Sequence, residues 1–337
     1  MRRRAIAISL VLAAAVAAGC GVAAGAEQPS SAPGAARLLR WSTFTHAMTP
    51  VDLAGPRPDR SLVVAGFATL WRLSPSGHLR GIAPAYRNLG GEPYIALPVA
   101  ARRHAACFGP GTVYALQPGA THGVVAIPPN GQPRELAHLT VPGLLNGIAF
   151  DQTGRFGYRL LVTINSGSTT RVFAIGCHGL VGTITTTAPR VEGGIVVAPS
   201  HFGRFGGDLI APDELSGSIY AITPGGRSIL VARSGLPHGQ DIGVESEGFV
   251  PSGKHFQMLV ADRLTPNNPH PGDDVILRIR SAALLGAGVR AGDLLVVSEG
   301  GGLTEAVRCT WKGCRVRRVA NGPAIAHIEG HVAVLPG

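Results

Sequence analysis

The chain of 337 residues has little charge, few aromatic side chains and almost no lysine. Charged residues make up 15%, against ~25% in an ordinary domain. Hydrophobic residues reach 45%, which excludes a disordered polyelectrolyte. Aromatics are 5%, so stacking platforms for bases are scarce. Lys254 and Lys312 are the only lysines, no run of five basic residues occurs, and basic residues are not interleaved with aromatics. A nucleic-acid partner is therefore not expected. No C-x-x-C pair is present, which removes support for a zinc site or a thioredoxin-like redox pair. G-x-S-x-G, H-E-x-x-H and G-x-x-x-x-G-K-[ST] are also missing, so nucleophile-elbow esterases, zincins and P-loop NTPases lack a local signature. Gly286-Ala-Gly288-Val-Arg-Ala-Gly292 only imitates a dinucleotide loop, because its last spacing is wrong and Asp293-Leu294-Leu295 opens a strand.

What the chain has in excess is glycine, 47, and proline, 26. With no long 3.6-residue periodicity, this predicts many short strands joined by turns. Ser281–Leu285 is the one helix-like piece.

The first 37 residues read as export and tethering. Met1–Arg4 is basic and Ala5–Ala18 is an uncharged apolar stretch of 14 residues. That is too short for a ~30 Å hydrocarbon core but long enough for a signal-peptide h-region. Ala17-Ala18-Gly19-Cys20 resembles the bacterial lipobox, with Ala17 where leucine is usual. The resemblance implies cleavage after residue 19 and lipidation of Cys20, anchoring the chain to the outer face of the cell membrane; plain secretion is the alternative. Removing Arg2, Arg3 and Arg4 leaves 27 basic and 20 acidic residues, lowering the formal charge from +10 to +7. Residues 20–37 are Ala, Gly, Ser and Pro with almost no large apolar side chain, a flexible tether. Residues 38–337 form a single folded domain. Lipidation of Cys20 would leave Cys107, Cys177, Cys309 and Cys314, an even number for an oxidising compartment. Cys309 and Cys314 flank a plausible hairpin tip, so they are expected to pair, and Cys107–Cys177 then follows by elimination.

Beyond residue 60 one pattern recurs. Trp71–Gly77, Val125–Gly131, Phe173–Gly179 and Tyr220–Gly226 each run from alternating apolar residues into a Pro/Gly turn. Asn146-Gly-Ile-Ala-Phe-Asp, Gly193-Gly-Ile-Val-Val-Ala, Glu247-Gly-Phe-Val-Pro and Glu329-Gly-His-Val-Ala-Val form a second series. A period of about 50 residues holding four short strands is the mark of a propeller blade. The expected fold is all-β, a six-bladed propeller, with five or seven blades as alternatives. Inner strands are placed near Pro93, Asn146, Gly193 and Glu247. Ser61–Ile82 lacks a first strand and Ile328–Leu335 lacks successors, so joining them would close the ring by its two ends.

This form resembles the gluconolactonase-like and NHL-like six-bladed propellers over residues 60–337. Asn146-Gly147-Ile148-Ala149-Phe150-Asp151 is similar to the element that supplies a metal-binding asparagine in gluconolactonase-like enzymes. Where that family usually has Asp-Gly in the next blade, this chain has Gly193-Gly194, with Glu192 beside it.

Residues opening the inner strands should face the channel mouth, which gathers Glu92, Asn146, Glu192, Glu247 and Glu329. Oxygen ligands of this kind suit Ca²⁺ or another divalent cation. Asn146, Glu92, Glu247 and Glu329 are the candidate metal ligands, and Glu247 and Glu192 the candidate catalytic carboxylates. Tight acid-Gly turns account for the same residues without a metal. Three polar stretches are weaker candidates: Leu236–Glu247, which includes His238, Asp241 and Glu245; Asn267–Asp274; and the pair Asp208 and Asp213. The expected function is a monomeric binding or interaction module at the cell envelope, for an envelope protein or a small-molecule or carbohydrate ligand. The alternatives are a metal-dependent hydrolase of lactones or similar esters, and a quinoprotein sugar-dehydrogenase-like oxidoreductase using His238, or His201 with Arg204.

Overall fold

A computed structural model describes residues 37–98, 107–118 and 122–337; the expected signal peptide and Cys20 lie outside them. Arg37 to Gly337 form one compact unit with its own core, so this part of the chain folds on its own. Among the described residues no helix is long and apolar enough to cross a membrane.

Two short strands come first, β1 (Leu39–Arg40) and β2 (Ser42–His46). Four sheets follow in which order in space is order in the chain. They are β3 (Pro50–Ala54), β4 (Leu62–Gly66), β5 (Leu70–Leu73) and β6 (Leu79–Ile82); β7 (Ile95–Ala96), β8 (Val113–Gln117), β9 (Gly123–Ile127) and β10 (Arg134–His138); β11 (Leu144–Phe150), β12 (Leu160–Ser166), β13 (Thr169–Ile175) and β14 (Val181–Pro189); and β15 (Val196–Val197), β16 (Leu209–Asp213), β17 (Ser218–Ile222) and β18 (Ser228–Arg233). The last two sheets interlock. β19 (Val244–Phe249) is innermost in the fifth, and the chain then crosses to the sixth for β20 (Phe256–Asp262) and β21 (Val275–Arg280). It turns through α1 (Ser281–Gly286) and returns to the fifth for β22 (Leu294–Ser298), β23 (Thr304–Thr310) and β24 (Gly313–Asn321). β25 (Ile328–Pro336) ends the chain as the innermost strand of the sixth sheet.

The fold is a six-bladed β-propeller, and its closing blade holds both terminal segments, β2 on the outer edge and β25 inside, with β20 and β21 between them. The strand partners differ from the sequence expectation in two places. The three strands of Ser61–Ile82 have their own first strand, β3, and Ile328–Pro336 completes β20 and β21 instead. The strand at Glu247 serves the sheet of Leu294–Asn321, not the strands that directly follow it. Strand propensity marks where a strand lies, while its neighbour is chosen by packing across the ring.

Second strands are apolar on both faces, as in Leu62–Ala65, Leu160–Val162 and Leu294–Val297, all buried, because each blade is covered by a neighbour on either side. Leu53, Leu62 and Val64 of the first blade pack on Leu259, Ile276 and Leu335 of the sixth. Phe108, Tyr114 and Phe150 meet edge-on between the second and third blades, with centroids 4.9–5.5 Å apart. Cys107–Cys177 joins those two blades and Cys309–Cys314 closes the β23–β24 hairpin, the two pairs expected from the cysteine count. At the axis the inner strands approach so closely that a Cβ on Gly248 would lie 2.0 Å from the Val332 carbonyl oxygen. The ring has two ends. The mouth carries the starts of the inner strands and the turns between second and third strands. The base carries the remaining turns, including the β23–β24 tip.

Candidate functional site at the channel mouth

Four acids from distant parts of the chain converge at the mouth. Glu92 and Tyr94 precede β7, Glu245 opens β19, Glu299 follows β22, and Glu329 opens β25. One oxygen from each of Glu92, Glu245 and Glu329 lies within 4.8 Å of the others, and Glu299, His327 and Glu329 form a second such group. Arg263, directly after β20, sits between them. Its Nη1 donates to Glu92 at 3.0 Å and its Nη2 to Glu329 at 2.5 Å, and its guanidinium lies 5.2 Å from the centroid of Phe67. His327 Nε2 is 3.0 Å from Glu329 Oε1 and 3.1 Å from Glu299 Oε1.

The proton arrangement follows from donor counts. The Tyr94 hydroxyl lies 2.5 Å from Glu245 Oε1 and 2.9 Å from Glu92 Oε2. It has one proton, so one of the two contacts needs a protonated carboxyl. Burial, reinforced by Glu329 and Glu299, pushes Glu245 well above the usual carboxylate range. Glu245, the more strongly raised of the two, is therefore the carboxyl that holds the proton. Burial and the Glu329 charge raise Glu92 to about 7, and burial with Glu329 and Glu214 raises Glu299 to about 10. For Glu329 burial works upward, but the His327 hydrogen bond and Arg263 outweigh it and hold the group below its ordinary value. Since Tyr94 belongs to the second blade and Glu245 to the fifth, their contact crosses the channel axis.

A second bridge lies deeper. His331 Nδ1 is 2.8 Å from Asp52 Oδ1, and Nε2 is 3.0 Å from the Ile195 carbonyl oxygen. A carbonyl can only accept, so Nε2 carries a proton, and Nδ1 faces a carboxylate that also accepts the Ile95 and His331 backbone N–H groups at 2.7 Å. Burial disfavours the imidazolium, but Asp52 outweighs it and the His331 pKa is raised. This bridge joins the first, second, fourth and sixth blades at the axis.

The other expected site residues take no part in this cluster. Asn146 donates from Nδ2 to the Val191 carbonyl at 2.6 Å and accepts from Thr163 at 3.0 Å, so its amide joins the third blade to the segment entering the fourth and faces no shared ligand site. Glu192 is held by Arg190 at 2.6 Å. Glu247 is fully buried, and neither carboxylate oxygen has a hydrogen-bond partner among the described residues. Its separation from Glu245 comes from a bulge: Val244 pairs with Ser298 and Ser246 with Val297, leaving Glu245 as the extra residue. Asp208 and Asp213 stand at opposite ends of β16. Asp274 accepts from the backbone of Leu264 at 2.8 Å and Thr49 at 3.1 Å, so the 267–274 stretch braces the mouth. His238 belongs to the mouth, bonded at 3.2 Å to Leu215, while His201 and Arg204 lie on the first connection of the fourth blade, at the base.

Arg263, Tyr94, His327, His331 and Asp52 were not singled out by the sequence. Glu245 was visible only as part of a polar stretch. The one local signal was the i, i+2 spacing of His327, Glu329 and His331, which places all three on one side of a strand.

No family model and no curated protein matches the chain. Six-bladed propellers of the virginiamycin B lyase and gluconolactonase types are among the solved structures that match. Virginiamycin B lyase from Staphylococcus aureus is 12% identical over 81% of this chain and 70% of its own, with a TM-score of 0.46. A protein of unknown function from Bacteroides thetaiotaomicron is 13% identical over 86% and 69%, with a TM-score of 0.49. A structure assigned by name to the gluconolactonases is 11% identical over 72% and 93%, with a TM-score of 0.36. These likenesses are of architecture, and no chemistry is carried across from them.

Proposed function

We propose that the chain is an exported, lipid-anchored binding module of the cell envelope whose ligand end is the channel mouth. The observation that carries this reading is an exposed apolar arc beside Arg263, formed by Met48, Phe67, Leu264 and Ile325. The Phe67 backbone bonds to Thr49, Thr49 and Leu264 share Asp274, and the Ile325 carbonyl accepts from Gly272 next to the same turn. A contiguous exposed apolar surface edged by charge marks a binding site. Photo-crosslinking from position 67 in cells tests it: a discrete adduct, abolished by Leu264→Asp, is the expected result, and no adduct above that of an exposed control position overturns it.

A second reading, the metal-dependent hydrolase of lactones or similar esters, is favoured by the closeness of the Glu92, Glu245 and Glu329 oxygens. The residues present fit that metal poorly. Asn146 spends its amide on the protein, and Arg263 already neutralises Glu92 and Glu329. Metal analysis of the purified protein, with melting curves with and without chelator, separates the readings. The binding module predicts no stoichiometric divalent ion, no chelator shift and no turnover of a lactone panel. A stoichiometric Ca²⁺ lost in Glu329→Gln would favour the hydrolase. Asn146→Ala is expected to cost about 1–3 kcal/mol of stability through the orphaned Val191 carbonyl and Thr163 hydroxyl, read by denaturant unfolding, and to leave metal content unchanged.

A further inference from the structure

Acids gather at one end of the ring, offset there by Arg263 and Arg190, and exposed cations gather at the other. At the mouth stand Glu92, Glu192, Glu214, Asp241, Glu245, Glu299 and Glu329. At the base the acids are mostly consumed: Asp151 accepts backbone N–H groups, Asp208 faces Arg155, Asp293 binds Arg308 and Asp59 binds Arg72. The base meanwhile exposes Arg204, Arg227, Lys254, Arg290, Lys312 and Arg315, none of which is in an ion pair among the described residues.

The same end carries a projecting aromatic. Trp311 is 81% exposed at the β23–β24 tip. Lys312 follows it, and the Cys309–Cys314 bond fixes the tip with its Cα atoms 4.0 Å apart. The Cβ position of Gly203 touches the Thr310 backbone, which puts Arg204 beside this tip. A rigid tryptophan ringed by cations fits the interface of a bilayer, where an indole settles at headgroup level and basic side chains meet anionic lipid.

We propose that the base of the propeller docks on an anionic bilayer, with Trp311 in the headgroup layer and Arg204, Arg290, Lys312 and Arg315 on lipid phosphates. The acidic mouth and its apolar arc then face away from the membrane. This orientation deepens the reading of the chain as an envelope binding module, but the surface itself does not depend on lipidation of Cys20.

Residues 37–337, which lack Cys20, can be sedimented with phosphatidylcholine vesicles with and without phosphatidylglycerol. The expected result is binding only to the anionic vesicles, quenching of Trp311 by brominated lipid, and release at about 1 M salt, where the Debye length is ~3 Å. Lys312→Glu with Arg315→Glu should weaken binding at least about 25-fold, from about fivefold for each cation lost. Trp311→Ala should weaken it several-fold and remove the quenching. Arg233→Glu at the mouth end should leave it unchanged, and circular dichroism should show all variants folded. Equal binding to both vesicle types, undiminished binding by the double variant, or binding to a soluble polyanion such as heparin without vesicle binding would each overturn the proposal; the last would make the base a site for an anionic polymer. Failure of lipidation, read separately by palmitate labelling of the full chain, would leave the vesicle result untouched.

Discussion

Arg263 and Glu247 are both buried ionisable residues, and they meet opposite fates. The guanidinium is enclosed by Glu92 and Glu329, and removing one partner of a buried charged set strands the others. Arg263→Met is expected to cost about 3–5 kcal/mol in urea unfolding at pH 7, and less at pH 5, where Glu92 is already protonated. Glu247 has no hydrogen-bond partner for its carboxyl among the described residues, and burial pushes that carboxyl well above its ordinary value. The neutral acid still forfeits its hydrogen bonds to water, so Glu247→Met should gain about 1–3 kcal/mol, read as a higher denaturation midpoint. Glu245 and Glu247 look alike in the sequence, each an acid two residues apart at the head of one strand. The bulge at Glu245 is what sends one to the shared cluster and leaves the other buried away from it.

Among the elements, the short turn-bounded strands were legible because alternation and Pro/Gly turns are local properties. So was the helical turn at Ser281–Gly286. The exchange between the fifth and sixth blades was not. β19 and β20 are consecutive, and nothing in either says that β19 pairs with β22. The disulfides divide in the same way. Cys309–Cys314 closes a loop of 5 residues and Cys107–Cys177 one of 70. On chain entropy the longer loop is worth about 4 kcal/mol and the shorter about 2. Cys107→Ser with Cys177→Ser should therefore lower the melting temperature more than Cys309→Ser with Cys314→Ser, and equal losses would point to strain or denatured-state structure instead.

At the level of the whole molecule, the axis is crossed twice, by Tyr94–Glu245 and by His331 with Asp52 and Ile195, and the acids around the upper crossing make stability depend on pH. Glu92 and Glu214 are raised to about 7 and Glu299 to about 10, burial being the largest cause for each. Between an unfolded value of about 4.3 and these values the folded chain holds more protons than the unfolded chain, so stability falls as pH rises. The raised His331 adds a loss in the same direction above its ordinary value, while Glu329, held low, contributes only on the acid side. Calorimetry should show the melting temperature falling from about pH 5 to about pH 9, and a melting temperature that rises over that range would mean that the mouth acids are ionised and compensated.

The sequence by itself determined that the chain is a turn-rich repeat of four-stranded sheets, because a strand apolar on both faces must be covered on both, and stacking copies around an axis does so. It also placed Glu92 and Glu329 at the openings of inner strands. Only the tertiary structure decided which acids meet, which cation sits among them and which end of the ring is basic. The contacts that settle those questions join residues 151 and 279 positions apart, and a single extra residue in β19 is enough to change the side chain that reaches the axis. Local patterning carries no information about either.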